Sequence, residues 1–130
     1  MDLSPVYRFE LPLPPTANHR LMPTKAGGRI RLITAPKMRD WKELAARRLA
    51  APSVTFPDSR VQLSLSIKWP DRRRRDIDGP IKPLLDALTA AGVWGDDSQV
   101  RRMEVDAIPM DYGLQAPGTV SGVVSDWVPF

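Results

Sequence analysis

The sequence predicts an α+β fold, a small two-layer sandwich with a mixed β-sheet packed by two α-helices. Three observations lead there. Residues 60–69 alternate apolar and polar in the manner of a half-buried strand. Residues 37–50 and 79–91 repeat apolar side chains at helical spacing. Strand-like runs flank both helices, so helix and sheet must share one core. The 130 residues, 42% hydrophobic and 26% charged, suit a single domain over residues 1–130. A chain of this size can bury about two-thirds of its unfolded surface, enough for one core without staples.

Taken in order, Val6 to Leu11 reads as the first strand, ended by Pro12, Pro14 and Pro15. Thr16 to Arg29 is polar and contains glycine, which predicts a loop, and Ile30 to Ile33 predicts a short strand. In the helix over 37–50, Met38, Trp41, Leu44, Ala45 and Leu49 form the apolar stripe, and Pro36 suits its first turn. Lys37, Lys42, Arg47 and Arg48 lie on its opposite face. Arg60 to Trp69 sets Val61, Leu63, Leu65, Ile67 and Trp69 on one side, and Gln62, Ser64, Ser66 and Lys68 on the other. The helix over 79–91 buries Ile81, Leu84, Leu85 and Leu88, with Asp78 as N-cap, Pro80 in the first turn and Gly92 just past its end. Pro83 still falls in the first turn, where a missing N–H costs little. Gln99 to Ile108 and Gly118 to Trp127 supply the remaining strands.

Composition removes several chemistries. There is no cysteine, hence no disulfide, thiolate nucleophile or cysteine zinc site. The one histidine, His19, makes His-rich zinc centres and Ser-His-Asp catalysis poor candidates. No apolar run approaches the ~18 residues of a membrane span, and no secretory signal is visible. A cytoplasmic protein without a membrane partner is expected. The charge is unevenly placed. The first 102 residues hold all 19 basic residues against eleven acids, a net of +8, while the last 28 carry four acids and no base. The net charge is +4 and the isoelectric point about 9.9. A basic body of this kind suits a polyanion, with nucleic acid the leading candidate.

Chemistry concentrates in residues 71–99, DRRRRDIDGPIKPLLDALTAAGVWGDDSQ. Asp76 and Asp78 are two apart, so in extended backbone they share a face, their Cα atoms roughly 7 Å apart. Asp96 and Asp97 follow the helix, whose return can bring one of them back to that pair. Three carboxylates with no histidine or cysteine make a hard oxygen site, suited to Mg²⁺ or Mn²⁺. Lys82, in the first helical turn, is placed to bind a phosphate or stabilise a leaving oxygen. Arg72, Arg73, Arg74 and Arg75 lie beside it and suit phosphate contacts. Each piece has an ordinary reading too. Asp78 alone is a helix cap, Asp96-Asp97 a turn, Lys82 a partner of Asp86, and the arginines a solvated patch. Their co-location counts for more, because crowded carboxylates repel unless a cation neutralises them.

Residues 71–100, with a fainter echo in LPLPPTANHR, resemble the RusA family of Holliday-junction resolvases. The resemblance implies that Asp76, Asp78 and Asp97 are the catalytic metal-binding acids and Lys82 the catalytic lysine. It also places Asn18 near the substrate, and implies a homodimer that nicks four-way DNA junctions in pairs, in recombination and repair. Arg72 to Arg75, Arg101 and Arg102 would then position DNA. One position departs from the family: Gly79 stands where Asn usually follows the second acid. That departure keeps a catalytically weak branched-DNA binding module as the alternative. A metal-dependent nuclease on flap DNA or RNA is the third reading.

Overall fold

The computed structural model describes residues 4–15, 21–26, 29–34, 36–71, 73–108 and 117–129. Its elements are β1 (Val6–Pro12), β2 (Leu21–Ala26), β3 (Arg29–Thr34), α1 (Pro36–Leu49), β4 (Val61–Lys68), α2 (Ile81–Ala90), β5 (Val100–Ile108) and β6 (Thr119–Asp126). One 3₁₀ turn, Asp97–Gln99, leads into β5. The main sheet has the order β1-β6-β4-β5, and β2 pairs with β3 as a separate two-stranded ribbon. β6 runs antiparallel to both neighbours, whereas β4 and β5 are parallel. A parallel pair cannot be closed by a tight turn, so the chain crosses through α2. This is the expected α+β architecture with a mixed sheet and two helices.

The alternation of β4 sets the core. Val61, Leu63, Leu65 and Ile67 are all buried, and the residues between them are not. Against them pack Met38, Trp41, Ala45 and Leu49 of α1, with Leu84 and Leu88 of α2. Trp41 donates its indole N–H to the Pro12 carbonyl at 2.8 Å, which fastens α1 to the end of β1. β6 contributes Val120 and Val124. The base-free end of the chain therefore supplies an interior strand of the main sheet.

At its C-terminal end α2 stops as the sequence predicts. Gly92 takes φ +80°, its N–H reaches the Thr89 carbonyl and the Val93 N–H reaches that of Leu88, both at 3.1 Å. That pair of bonds is a Schellman closure, which needs a residue tolerant of left-handed backbone. The start differs from expectation. The cap position belongs to Pro80, without a side-chain cap bond. Asp78 instead lies in the preceding turn and gives only its carbonyl, to the Ile81 N–H at 3.1 Å. Its carboxylate is released from capping.

A second difference concerns Leu21–Ala26, expected as loop but paired with β3 in antiparallel register, Ala26 opposite Arg29. Gly27-Gly28 between two runs of equal length was the available hairpin signal. Within the main sheet, Gly122 faces Phe9 across the β1–β6 pair and Leu65 across the β4–β6 pair. A Cβ there would strike the Phe9 ring and come within 2.9 Å of a Leu65 methyl. Gly122→Ala should therefore cost about 1–3 kcal/mol, the usual range for overpacking. Urea unfolding would show it, and an unchanged midpoint would mean that Phe9 turns aside freely.

Candidate metal and nucleic-acid site

The loop from Trp69 to Pro80 leaves β4 and carries most of the charged residues singled out by sequence. Its first feature is one that sequence reasoning missed. Asp71 accepts the Arg73 backbone N–H at 2.9 Å and pairs with Arg75, whose Nη2 lies 3.0 Å from Oδ2. A second bond joins Arg75 Nη1 to Oδ1, so the pairing is bidentate. The Arg75 guanidinium also lies 5.7 Å from the centroid of the Trp69 ring. Arg75 is thus held between Asp71 and Trp69, and only 21% of its side chain is exposed. The Arg75 side chain is the main cause of the low Asp71 pKa, about 2 rather than 3.8, and the Arg73 N–H adds to it.

The other arginines differ. Arg73 is 84% exposed, its Nε 4.0 Å from Asp71. Arg74 is exposed, and among the described residues no carboxylate pairs with it. Arg101 is exposed on β5, and Arg102 beside it pairs with Glu104 at 2.8 Å. Arg72 and Asn18 lie outside the described residues.

Lys82 joins two parts of the chain. Its Nζ lies 3.0 Å from Asp86, one turn along α2, and 3.5 Å from Asp97 of the 3₁₀ turn. The ordinary i,i+4 pair is present, and beside it stands Asp97 of the acidic turn. Asp86 first and Asp97 second raise the Lys82 pKa, both favouring the charged amine. Exposed ion pairs of this kind contribute little to stability, about 0–1 kcal/mol. Their effect is to hold a cation in place.

Gln99 sets the position of Asp97, and sequence reasoning passed over it as well. Its Oε1 accepts the backbone N–H groups of Gly95 and Asp96 at 2.8 and 2.9 Å. Its Nε2 donates to the carbonyls of Phe56 and Ser59 at 2.8 and 2.7 Å. One amide thereby ties the acidic turn to a loop some forty residues earlier. Asp96 accepts the Ser98 hydroxyl, the main cause of its lowered pKa. Of the adjacent pair, Asp97 is the one that meets Lys82.

Asp76 and Asp78 are exposed, and among the described residues neither carboxylate has a hydrogen-bonded or ionic partner. Asp76 lines a cavity of about 620 Å³ that also reaches Arg74, Arg75, Gly79 and Trp69. The donor chemistry of Asp76, Asp78 and Asp97 fits a hard divalent cation, being all oxygen and unclaimed at two of three positions. The described residues do not gather three acids into a ready-made cage. Like charges with no cation between them hold apart, and the expected convergence of the three is not seen among the described residues.

Two expected outcomes test this geometry. Gln99→Ala should lower stability by about 1–3 kcal/mol, because two carbonyls and two N–H groups lose their partner. Gln99→Glu should do no better above neutral pH, since a carboxylate cannot donate to Phe56 and Ser59. Urea melts of both variants check this, and a wild-type-like Gln99→Glu would contradict it. The Asp71 clamp makes its stabilising contribution above the ordinary carboxyl value and loses it as pH falls through about 2. Carbon-detected NMR titration should place the Asp71 midpoint near 2 in the wild type and move it up toward 3.8 in Arg75→Ala, stopping short of it because the Arg73 N–H bond remains.

Comparison with known proteins bears on the same residues. The family model described as endodeoxyribonuclease RusA matches residues 12–120. Crossover junction endodeoxyribonuclease RusA of Escherichia coli K12 is 45% identical over 61 residues, 47% of this chain and 51% of that protein. The chain thus spans about half the length of that relative. The crossover junction endodeoxyribonuclease of Enterobacteria phage HK97 is 32% identical over 118 residues, 90% of this chain and 91% of its own. These relatives are bacterial and phage proteins. Among the described residues no helix is long and apolar enough to cross a membrane.

Proposed function

This chain belongs to the RusA family of endodeoxyribonucleases, and from that premise we propose that it resolves four-way DNA junctions by paired nicks. The observation that carries the reading is the contact of Lys82 with Asp97, 3.5 Å across fifteen residues of sequence. It links the helix that follows Asp76 and Asp78 to the third acid and supplies a fixed cation there. Asp76, Asp78 and Asp97 would hold Mg²⁺, with Mn²⁺ as a substitute. When bound, such an ion supplies charge neutralisation at phosphorus and activation of water.

The chain's own groups do the rest. Lys82, held as a cation beside Asp86 and Asp97, is available to neutralise charge on the scissile phosphate or the departing oxygen. Arg73, Arg74 and Arg101 present exposed guanidinium groups to the DNA backbone, with Arg102 beside them. Arg75 takes another role, being already neutralised by Asp71. A homodimer supplies two such sites, matching a junction that offers two equivalent strands.

Gly79 is the position where a weaker enzyme would arise. Its backbone is not left-handed, and a Cβ would meet only the Asp76 carbonyl at 3.5 Å, an ordinary contact. Asparagine therefore fits the turn. With a synthetic four-way junction and Mg²⁺, wild type should cut in both paired strands. Asp76→Asn should fall by about 100-fold or more, the scale on which one transition-state interaction acts. Gly79→Asn should fold normally and cut at least as fast as wild type. Equal cutting by wild type and Asp76→Asn, or binding without any cutting, would sink the nuclease reading. The latter outcome would favour a branched-DNA binding module.

A further inference from the structure

The cavity beside Asp76 forms where three strand ends meet. Pro12, Pro14 and Pro15 come from the end of β1, Pro70 from the end of β4, and Pro117 from the approach to β6, with Pro80 closing the side nearest α2. Register explains the meeting: Pro12 pairs with Thr119, and Thr119 with Lys68, across three adjacent strands. Gly118 lets the walls close, since a Cβ there would run into Leu13 and lie 2.8 Å from Pro70.

A wall of prolines has no backbone N–H to offer. It cannot hold a phosphate, which needs donors, but it accepts the face of a flat ring. The wall also includes Trp69, with the Arg75 guanidinium over its ring. Asp71 removes the net charge of Arg75 and fixes its plane. Bases stack on aromatic rings and on guanidinium planes alike. Arg74, exposed and without a paired carboxylate among the described residues, adds a cation at the rim, where the sugar-phosphate chain of an inserted base would run. The volume lies in the range of small-ligand sites.

We propose that this cavity receives an unstacked nucleobase of the strand being cut, held against the Trp69–Arg75 pair. The proposal rests on the nuclease reading for its placement, because Asp76 forms part of the cavity wall. It gives Arg75 a role other than phosphate contact and makes Trp69 and Arg75 determinants of which base stands beside the cut.

The test is a cycle of base removal against side-chain change, read by binding of a four-way junction to the full chain in Ca²⁺. An abasic sugar is moved through the nucleotides around the mapped cut. At one position it should weaken wild-type binding by about tenfold, the size of one lost stacking contact. With Trp69→Ala or Arg75→Lys, binding to the intact junction should already be about tenfold weaker, and removing that base should cost less than about twofold more. Arg75→Lys keeps the charge and leaves the core intact, so it serves if Trp69→Ala fails to fold, and a phosphate contact would survive it. Neutral abasic sites throughout, or the same loss in wild type and both variants, would overturn the pocket. Junction cutting with no base dependence sinks the pocket alone. Base dependence with no cutting sinks the nuclease reading alone.

Discussion

Repulsion among carboxylates is the constraint around which this molecule is arranged. Six aspartates lie between residues 71 and 97, at 71, 76, 78, 86, 96 and 97. Four have partners: Asp71 has Arg75, Asp96 has Ser98, and Asp86 and Asp97 share Lys82. Asp76 and Asp78 have none among the described residues. Among the described residues every acid of the stretch therefore has a hydrogen-bonded or ionic partner except the two that leave the sheet together. Unpaired adjacent acids contribute nothing to stability without a cation. Their presence beside acids that all have partners is physically coherent as a binding arrangement.

Supporting that arrangement is a scaffold that does not depend on it. The core is wholly apolar among the described residues, with no buried polar or charged side chain. β4 carries the core on one face and delivers the acidic loop from its end. α2 returns, stops at Gly92, and leads to the turn that Gln99 ties to Phe56 and Ser59. Because none of these anchors uses Asp76, Asp78 or Lys82, the charged residues can shift on binding without opening the core.

What sequence revealed, and what it hid, follows the same division. The β4 alternation, both helical stripes and the stop at Gly92 were legible because periodicity and a left-handed cap are local properties. The acids and the lysine were legible by type and spacing. Hidden were the bonds that give them separate roles. Arg75 looked like three neighbouring arginines until Asp71 proved to be its partner, and Gln99 reaches residues some forty positions away. Leu21–Ala26 was missed because LMPTKA shows no apolar-polar alternation and Gly27-Gly28 was read as part of a loop. Asp78 read as a cap because its type and place suit one, yet Pro80 occupies that position.

The split between clamped and free arginines carries the argument one step further. A run of four identical cations has no intrinsic reason to divide its labour. Here the division comes from one acid: Asp71 takes Arg75 with two hydrogen bonds and leaves Arg74 exposed. The pairing costs the surface one unit of free positive charge, which weakens attraction to a polyanion. It gives in return a rigid plane over Trp69 beside Asp76. For a surface that only attracted DNA this exchange would be a loss. It makes sense where a base must be held in register with the phosphate beside it, because orientation contributes more there than one further cation.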